Sequence, residues 1–409
     1  MNILYIDHYA GSLSMGMEFR PYYLAREWKK LGHTVRIIGA DYSHLRKNNP
    51  SVDKDFAVTE VDGIEFQWIK TRTYQGNGVS RIITMMQFCW KLYLRAKKLA
   101  NSFKPDVVIA SSTYPMDTYA ARKIAGYSGG KYVHEVHDMW PITPIELYGM
   151  SPRHPFIRIV QHAEDYFCRN ADKVVSILPC AKEYFINHGM DEKKFVYIPN
   201  GIDPEDWNNP EKLPDAHSNA IQKAKTDGRF ILTFFGSHTR SYSLDYLIRA
   251  LAQTDQSRIF VAFVGEGNYK KELEKQAMEL SIDQNAYAFL PGINKKAIPS
   301  LLDLSDASYI GAIRNRMFQF GIGMNKLFDA MMGGKPILYA VDAPNDFVRE
   351  YRCGISVTAE DVNELKNGLT ELMNQSDEER HQAGENGRKA AMDRFVYPVI
   401  AKQFIASIT

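Results

Sequence analysis

Cysteine is scarce and scattered in this sequence. Cys89, Cys168, Cys180 and Cys353 form no CxxC pair and show no metal-ligand spacing. That excludes a disulfide scaffold and reads as free thiols in a reducing cytoplasm. Long hydrophobic runs are missing. No segment approaches the roughly 18–20 apolar residues that cross a bilayer, so any membrane role is expected to be peripheral. Met1–Asp7 has neither a basic stretch nor an extended apolar core, so it does not read as a signal peptide. Excess charge of one sign is also missing. Fifty Lys and Arg against 48 Asp and Glu give a net charge of +2, and no global field toward nucleic acid results. No internal repeat is evident. A GxGxxG dinucleotide fingerprint is absent from the first crossover, which carries Gly11 and Gly16 instead, so an NAD(P) site loses its main support.

What is present is ordinary soluble composition, 45% apolar and 24% charged, in a chain long enough for two or three domains. Strands and helices alternate twice. Ile3–Ile6 reads as a buried strand. A helix with Tyr22, Tyr23, Leu24, Trp28 and Leu31 on its apolar side follows, then a strand over Val35–Gly39. Residues 41–75 read as edge strands and loops, and Arg81–Phe103 as a long helix. Strands follow at Val107–Ala110, Tyr132–Asp138, Asp172–Ile177 and Phe195–Ile198, with a helix over Phe156–Asn170. Residues 204–228 turn polar and mark a domain boundary. The alternation then restarts with strands at Phe230–Phe235, Ile259–Val264, Ala286–Leu290, Ala307–Ala312 and Gly354–Val357. Two doubly wound parallel-sheet domains are expected, with strand-end loops facing a common cleft. His137 and Asp138 stand at a strand end, whereas His134 and Glu135 read as packing or edge residues.

The stretch Phe320–Leu338 is the chemical focus. Glycines lead into a helix that starts near Gly323 to Asn325, and Gly333-Gly334 stops it. A helix N-terminus presents free N–H groups and positive dipole, a ready anion site. Lys326 puts a cation in the first turn, where the dipole alone favours an acid. Asp329, one turn on, is placed to accept hydrogen bonds from hydroxyls. The functional reading is a grip for phosphate and ribose. The bland alternative is a helix packed on a sheet with Lys326 solvated.

The order and spacing of several motifs resemble the GT-B fold glycosyltransferases, and more narrowly family 4 of the retaining, nucleotide-sugar-dependent enzymes. The motifs are Leu31-Gly32-His33-Thr34-Val35, Val136-His137-Asp138-Met139-Trp140-Pro141, Ile198-Pro199-Asn200-Gly201-Ile202-Asp203, Val264-Gly265-Glu266-Gly267, and Asn325-Lys326-Leu327-Phe328-Asp329-Ala330-Met331 with Gly334-Lys335-Pro336. The resemblance covers essentially the whole chain and points to the branch that builds bacterial capsule, exopolysaccharide or O-antigen repeats. It implies two Rossmann-like domains: an acceptor-side domain over residues 1–205, joined by a returning C-terminal helix at 395–409, and a nucleotide-sugar domain over 206–394. It implies that Gly11, Gly16 and Asp138 lie in the loops facing acceptor or donor phosphate. His137 would contact the donor sugar, Asp329 the ribose, and the backbone of Gly323, Met324 and Asn325 the pyrophosphate. Gly265 and Glu266 would complete the donor side. Three departures stand out. Gly321 occupies the place of the family's first acid, and Ser237 and Tyr242 those of its Arg and Lys. Lys326, with Arg240 or Arg314, is then the candidate to neutralise the diphosphate.

The resulting expectation is a hexosyl or N-acetylhexosaminyl transferase. It would use a UDP-sugar, or less favourably a GDP-sugar, need no metal or cofactor, and take a saccharide or lipid-linked acceptor. His137 and Lys326 would be its catalytic residues. A nucleotide-sugar epimerase on the same architecture, or a non-catalytic sugar-nucleotide-binding subunit, is the alternative. The basic side of the helix over 81–98 suits an anionic membrane surface, and the alternative there is a core helix with a solvated charged face. The expected location is cytoplasmic, with a peripheral seat on the membrane's inner face.

Overall fold

The computed structural model describes residues 1–16, 19–76 and 78–409. The chain divides into two compact units: Met1–Asn200 with Tyr397–Thr409, and Gly201–Val396. Met17 and Glu18, inside the first glycine loop, lie outside the described residues.

The first unit holds an eight-stranded sheet. Its strands are β1 (Asn2–Ile6), β2 (Thr34–Ala40), β3 (Ala57–Val61), β4 (Ile64–Ile69), β5 (Val107–Ala110), β6 (Lys131–Val136), β7 (Lys173–Ser176) and β8 (Phe195–Tyr197). They lie in the order β3-β4-β2-β1-β5-β6-β7-β8. All neighbours are parallel except the edge hairpin β3–β4. Apolar runs such as Val107-Val108-Ile109-Ala110 are buried along their whole length, as strands covered by helices on both faces require. Crossovers run one way from β1 through β2 toward β4, then restart on the other side of β1 at β5. The carboxyl ends of β1 and β5 therefore flank a topological switch point, the usual ligand crevice of such sheets.

The core of this unit gathers Ile3, Tyr5, Trp28, Trp68 and Ile109 with Tyr397, Ile400, Phe404 and Ile408. The helix Tyr397–Ile408 thus packs within the first unit, where the Trp28 indole N–H donates to the Ala401 carbonyl at 3.1 Å.

The second unit carries six parallel strands: β9 (Phe230–Phe235), β10 (Ile259–Val264), β11 (Tyr287–Leu290), β12 (Ala307–Gly311), β13 (Ile337–Ala340) and β14 (Gly354–Val357). Their order is β11-β10-β9-β12-β13-β14, which puts a second switch point between β9 and β12. Leu232, Phe234, Val261, Phe263, Leu365, Leu369 and Leu372 fill its core.

Some elements differ from the expectation. Residues 204–228 are not only polar turns, because Asp215–Thr226 is a helix that buries His217, Ile221 and Ala224. Thr118–Ser128 is an unforeseen helix as well. Strand β6 ends at Val136, so His137 and Asp138 sit on the loop just beyond it.

Candidate functional site

In the first unit the carboxyl ends of β1, β5 and β6 bring together one network of charged and hydroxyl groups. Glu135 is fully buried, which corrects its reading as a packing or edge residue. Arg20, at the start of helix Arg20–Lys30, donates from Nε and Nη2 to Glu135 Oε1 at 2.9 and 2.8 Å. It also donates to the carbonyls of Pro199 and Ile198 at 2.6 and 3.1 Å. The Tyr5 hydroxyl donates to Glu135 Oε2, and so does Ser111 Oγ at 2.7 Å. His137 Nε2 lies 2.7 Å from Ser111 Oγ and 3.1 Å from Glu135 Oε2.

The electrostatics follow from these contacts. Burial alone would raise the Glu135 carboxyl, but the Arg20 guanidinium, then His137 and the hydrogen bonds, hold it well below the usual range. Burial would likewise lower His137. The Glu135 carboxylate and its hydrogen bond outweigh that and raise it. His137 is 15% exposed, and the upward shift favours its protonated form, in which Nε2–H faces Glu135 and Ser111 and Nδ1–H is a second donor.

Asp138 is differently employed. Its carboxylate accepts from Met139 N at 2.9 Å, Trp140 Nε1 at 3.1 Å and Thr143 Oγ1 at 2.5 Å, so it fastens its own turn. In the first glycine loop, Gly11 is buried and Gly16 takes φ +71°, a left-handed angle that glycine adopts at no cost. Buried Arg46 holds the loop by donating to the carbonyls of Ala10, Ala40 and His8 at 2.8, 2.9 and 3.2 Å.

In the second unit the loops after β9 and β10 interlock by backbone contact. A Cβ on Gly265 would come within 1.8 Å of the Gly236 carbonyl oxygen, so only glycine fits there. Glu266 receives His238 N on its carbonyl at 2.8 Å and pairs its exposed carboxylate with Lys270 at 3.0 Å. The helix Asn325–Met332 begins with no capping hydrogen bond from the side chain of its N-cap residue, Met324, and its dipole has its positive end there.

From its first turn Lys326 reaches back to β9. Its Nζ lies 3.2 Å from the Tyr242 ring centroid and 4.6 Å from that of Phe234, in space that a Cβ on Gly236 would invade at 2.6 Å. The nitrogen is buried and makes no hydrogen bond among the described residues. Burial pushes it down to about 7. Lys326 is therefore not solvated. The cation replaces its water with aromatic faces, and Tyr242, standing where the resemblance expects a lysine, supplies the nearer one.

The preceding loop is fixed by Asn345, whose Oδ1 accepts from Ile322 N at 2.7 Å and whose Nδ2 donates to Ile322 O at 2.8 Å. Gly321 has φ +95° and ψ −178°, a region almost confined to glycine. The missing acid is thus built into the backbone. Gly323, Met324 and Asn325 follow directly, with Asn325 opening the helix. Asp329 is buried within this helix. Burial raises its carboxyl, Asp206 adds to that and Lys295 opposes it. Of the two arginines expected to assist, Arg240 is exposed, with its guanidinium 6.0 Å from the Tyr269 ring. Arg314 is paired to Asp342 at 2.9 Å.

Sequence reading missed Arg20, Ser111 and Asn345. It had no signal for them, since each works through a partner distant in sequence. Among the described residues Glu164, Asp165 and His188 form a trio with metal-ligand chemistry. Their atoms are already engaged: His188 Nδ1 with Asp165 at 2.8 Å and Glu164 with the Tyr184 hydroxyl at 2.7 Å. Burial also pushes Glu164 up to about 8, which suits a proton better than a cation.

The comparisons with known proteins decide the family. Residues 15–206 match Glycosyltransferase Family 4, and residues 217–390 match Glycosyl transferases group 1. The chain is a family 4 glycosyltransferase of the GT-B fold. The glycosyltransferase is 23% identical over 302 residues to a probable glycosyltransferase, WbjE, of Pseudomonas aeruginosa, spanning 72% of this chain and 68% of that one. It is 22% identical over 244 residues to a putative colanic acid biosynthesis glycosyl transferase, WcaI, of Escherichia coli K12, spanning 58% of each chain. In three dimensions it resembles Anabaena HepE, solved with UDP and glucose, at a TM-score of 0.68 and 18% identity, covering 99% of this chain and 98% of that one. No helix among the described residues is long and apolar enough to cross a membrane.

Proposed function

We propose that the glycosyltransferase moves a hexosyl or N-acetylhexosaminyl group from a UDP-sugar, with retention at the anomeric carbon. The acceptor would be a saccharide or lipid-linked saccharide of bacterial polysaccharide synthesis. The observation that carries this reading is the buried Lys326 ammonium, which has no hydrogen-bonded partner among the described residues and stands beside Gly236 in the first turn of a helix without a side-chain cap. Such a group is costly unless an anion arrives. In the proposed reaction the bond from anomeric carbon to phosphate oxygen breaks heterolytically, and its electron pair stays on the diphosphate. Lys326 and the N–H groups of Gly323, Met324 and Asn325 stabilise that charge, the kind of contribution usually largest in catalysis. Asp329 takes the ribose hydroxyls, and the Nδ1–H of His137 hydrogen bonds the sugar. No step calls for a metal. A lipid-linked acceptor would be met at an anionic membrane surface, along residues 81–98. The HepE structure with UDP supports the choice of nucleotide.

A thermal-shift panel of UDP-, GDP- and CMP-sugars tests the donor. The matching donor at a hundred times its dissociation constant should add about 2.7 kcal/mol of stability. A shift with GDP- or CMP-sugars and none with UDP-sugars would overturn the UDP reading. A product of inverted anomeric configuration would overturn retention.

A further inference from the structure

His238 stands on the loop after β9 with its backbone fully engaged. Its N–H donates to the Glu266 carbonyl at 2.8 Å, and its carbonyl accepts from Tyr269 N at 3.0 Å. A Cβ on Gly267 would come within 2.1 Å of that carbonyl oxygen, so main chain alone clamps the residue in place. Its imidazole is the opposite case. The residue is fully buried, and neither Nδ1 nor Nε2 has a hydrogen-bond partner among the described residues. The ring lies near Phe234 and Phe289, centroids 5.8 and 5.9 Å away, and neither side chain offers an oxygen or nitrogen. A buried polar group without a partner is costly, and a ligand that supplies one removes that cost.

A second buried nitrogen without a hydrogen-bond partner, Lys326 Nζ, stands close by. Both converge on one short piece of glycine backbone. A Cβ on Gly236 would meet Lys326 Nζ at 2.6 Å, and a Cβ on Gly265 would meet His238 Nε2 at 3.3 Å. Gly236 and Gly265 hold φ +134° and +154°, angles that glycine takes freely, so no Cβ bars the peptides between the two nitrogens from turning. The charged groups facing the ring are Lys270, Glu266 and Lys326. Lys270 Nζ is itself held by Glu266 Oε1 at 3.0 Å and by the Gly265 carbonyl at 3.2 Å. Burial and then Lys270 push the imidazole down, Glu266 pulls against them and Lys326 adds to the push, for a result of about 4. Two cations against one carboxylate leave a positive surplus, which repels a proton and attracts an anion. A diphosphate reverses both effects, because it accepts hydrogen bonds and its charge raises the affinity of a neighbouring histidine for a proton.

We propose that His238 is a donor-binding residue of the transfer reaction: its imidazole takes up a proton from solvent as the donor's diphosphate arrives and donates Nε2–H to a phosphate oxygen, beside Lys326. The inference rests on the proposed donor reading for the identity of the anion. It adds a ligand on the residue next to Ser237, where the resemblance expects an arginine. Two cations charged by ligand binding, His238 and Lys326, then take the task of the permanent pair that Ser237 and Tyr242 replace.

The test is calorimetry of the full chain with UDP-glucose at pH 6, in buffers of different ionisation enthalpy, which counts protons taken up per donor bound. At this pH Lys326 is already about nine-tenths charged and supplies only about 0.1 of a proton. Wild type should take up more than about 0.5, and its affinity should fall as pH rises from about 5.5 to 6.5, by up to about tenfold per unit for one whole proton. His238→Gln and His238→Phe should keep only the share of about 0.1, lose that slope, and bind roughly tenfold to a hundredfold more weakly at pH 6, as for loss of a charge-assisted hydrogen bond. The count is per mole bound, so a variant that folds only in part still answers. GDP-glucose, run in parallel, carries the same diphosphate. Uptake with GDP-glucose alone would overturn the UDP choice and uphold His238. Binding of neither donor would overturn the donor reading and this inference together. Wild-type binding with only the Lys326 share, or uptake unchanged in both variants, would overturn His238 as a ligand while the donor reading stands.

Discussion

Replacing Lys326 by methionine should make the unliganded glycosyltransferase more stable and yet disable it. The ammonium sits without a hydrogen-bonded partner among the described residues, and burial takes it from 10.5 to about 7. That displacement corresponds to roughly 5 kcal/mol of penalty on the charged form. The Tyr242 ring, 3.2 Å away, returns up to about 2 kcal/mol, which leaves roughly 3 kcal/mol. Methionine has similar length and no charge to desolvate. At pH 6.5, urea denaturation without ligand should therefore find Lys326→Met about 3 kcal/mol more stable than wild type. The pH dependence has a definite sign. Between about 7 and 10.5 the unfolded chain binds the proton that the folded one has released, so wild-type stability rises with pH through that window. The variant lacks this slope, and the difference should close toward pH 10. Transfer should fall by about 10²–10³, as for loss of one donor that stabilises developing charge. UDP binding to wild type should take up a proton above pH 7, seen by calorimetry in buffers of different ionisation enthalpy, and should weaken as pH rises. A variant that is less stable at pH 6.5, or that keeps wild-type transfer, would refute the reasoning.

Two further outcomes are expected. Glu135→Gln leaves the buried Arg20 without its carboxylate and should cost about 3–5 kcal/mol of stability. His137 then loses the partner that raises it, so it sheds its proton at lower pH. The alkaline limb of the kcat/KM profile should move to lower pH, and an unmoved limb would remove His137 from the reaction. Ser243→Gly should stabilise by about 0.5–1 kcal/mol in urea midpoint. Ser243 holds φ +50°, a left-handed angle costly to a residue with a Cβ, and its buried hydroxyl has no partner among the described residues.

Much of the fold is legible in the chain because parallel strands covered on both faces are unbroken apolar runs. Val107–Ala110, Phe230–Phe235 and Ile259–Val264 stand where pattern alone puts them. The missed helices have little contrast to read. Thr118–Ser128 buries mostly alanines, and Asp215–Thr226 buries three side chains, one of them a histidine. The candidate site was legible where backbone carries it, in the glycines and the helix head after Gly321. It was illegible where it depends on partners far along the chain. Nothing local tells that Glu135 meets Arg20, 115 residues away, or that the Lys326 stem is turned onto an aromatic face instead of into water.

The helix Tyr397–Ile408 also sets a timetable. It closes a core begun at Ile3, so while the chain is being made the first unit holds an unfilled apolar trough until the whole of the second unit has been synthesised. Each large apolar side chain that the helix later buries is worth about 1.5–3 kcal/mol, and Ile400, Phe404 and Ile408 all belong to this set. The nascent first unit is consequently an aggregation-prone intermediate, of the kind that long-range closure produces. Ending synthesis before residue 397 should yield a protein that chaperones retain, even though its sheet is complete.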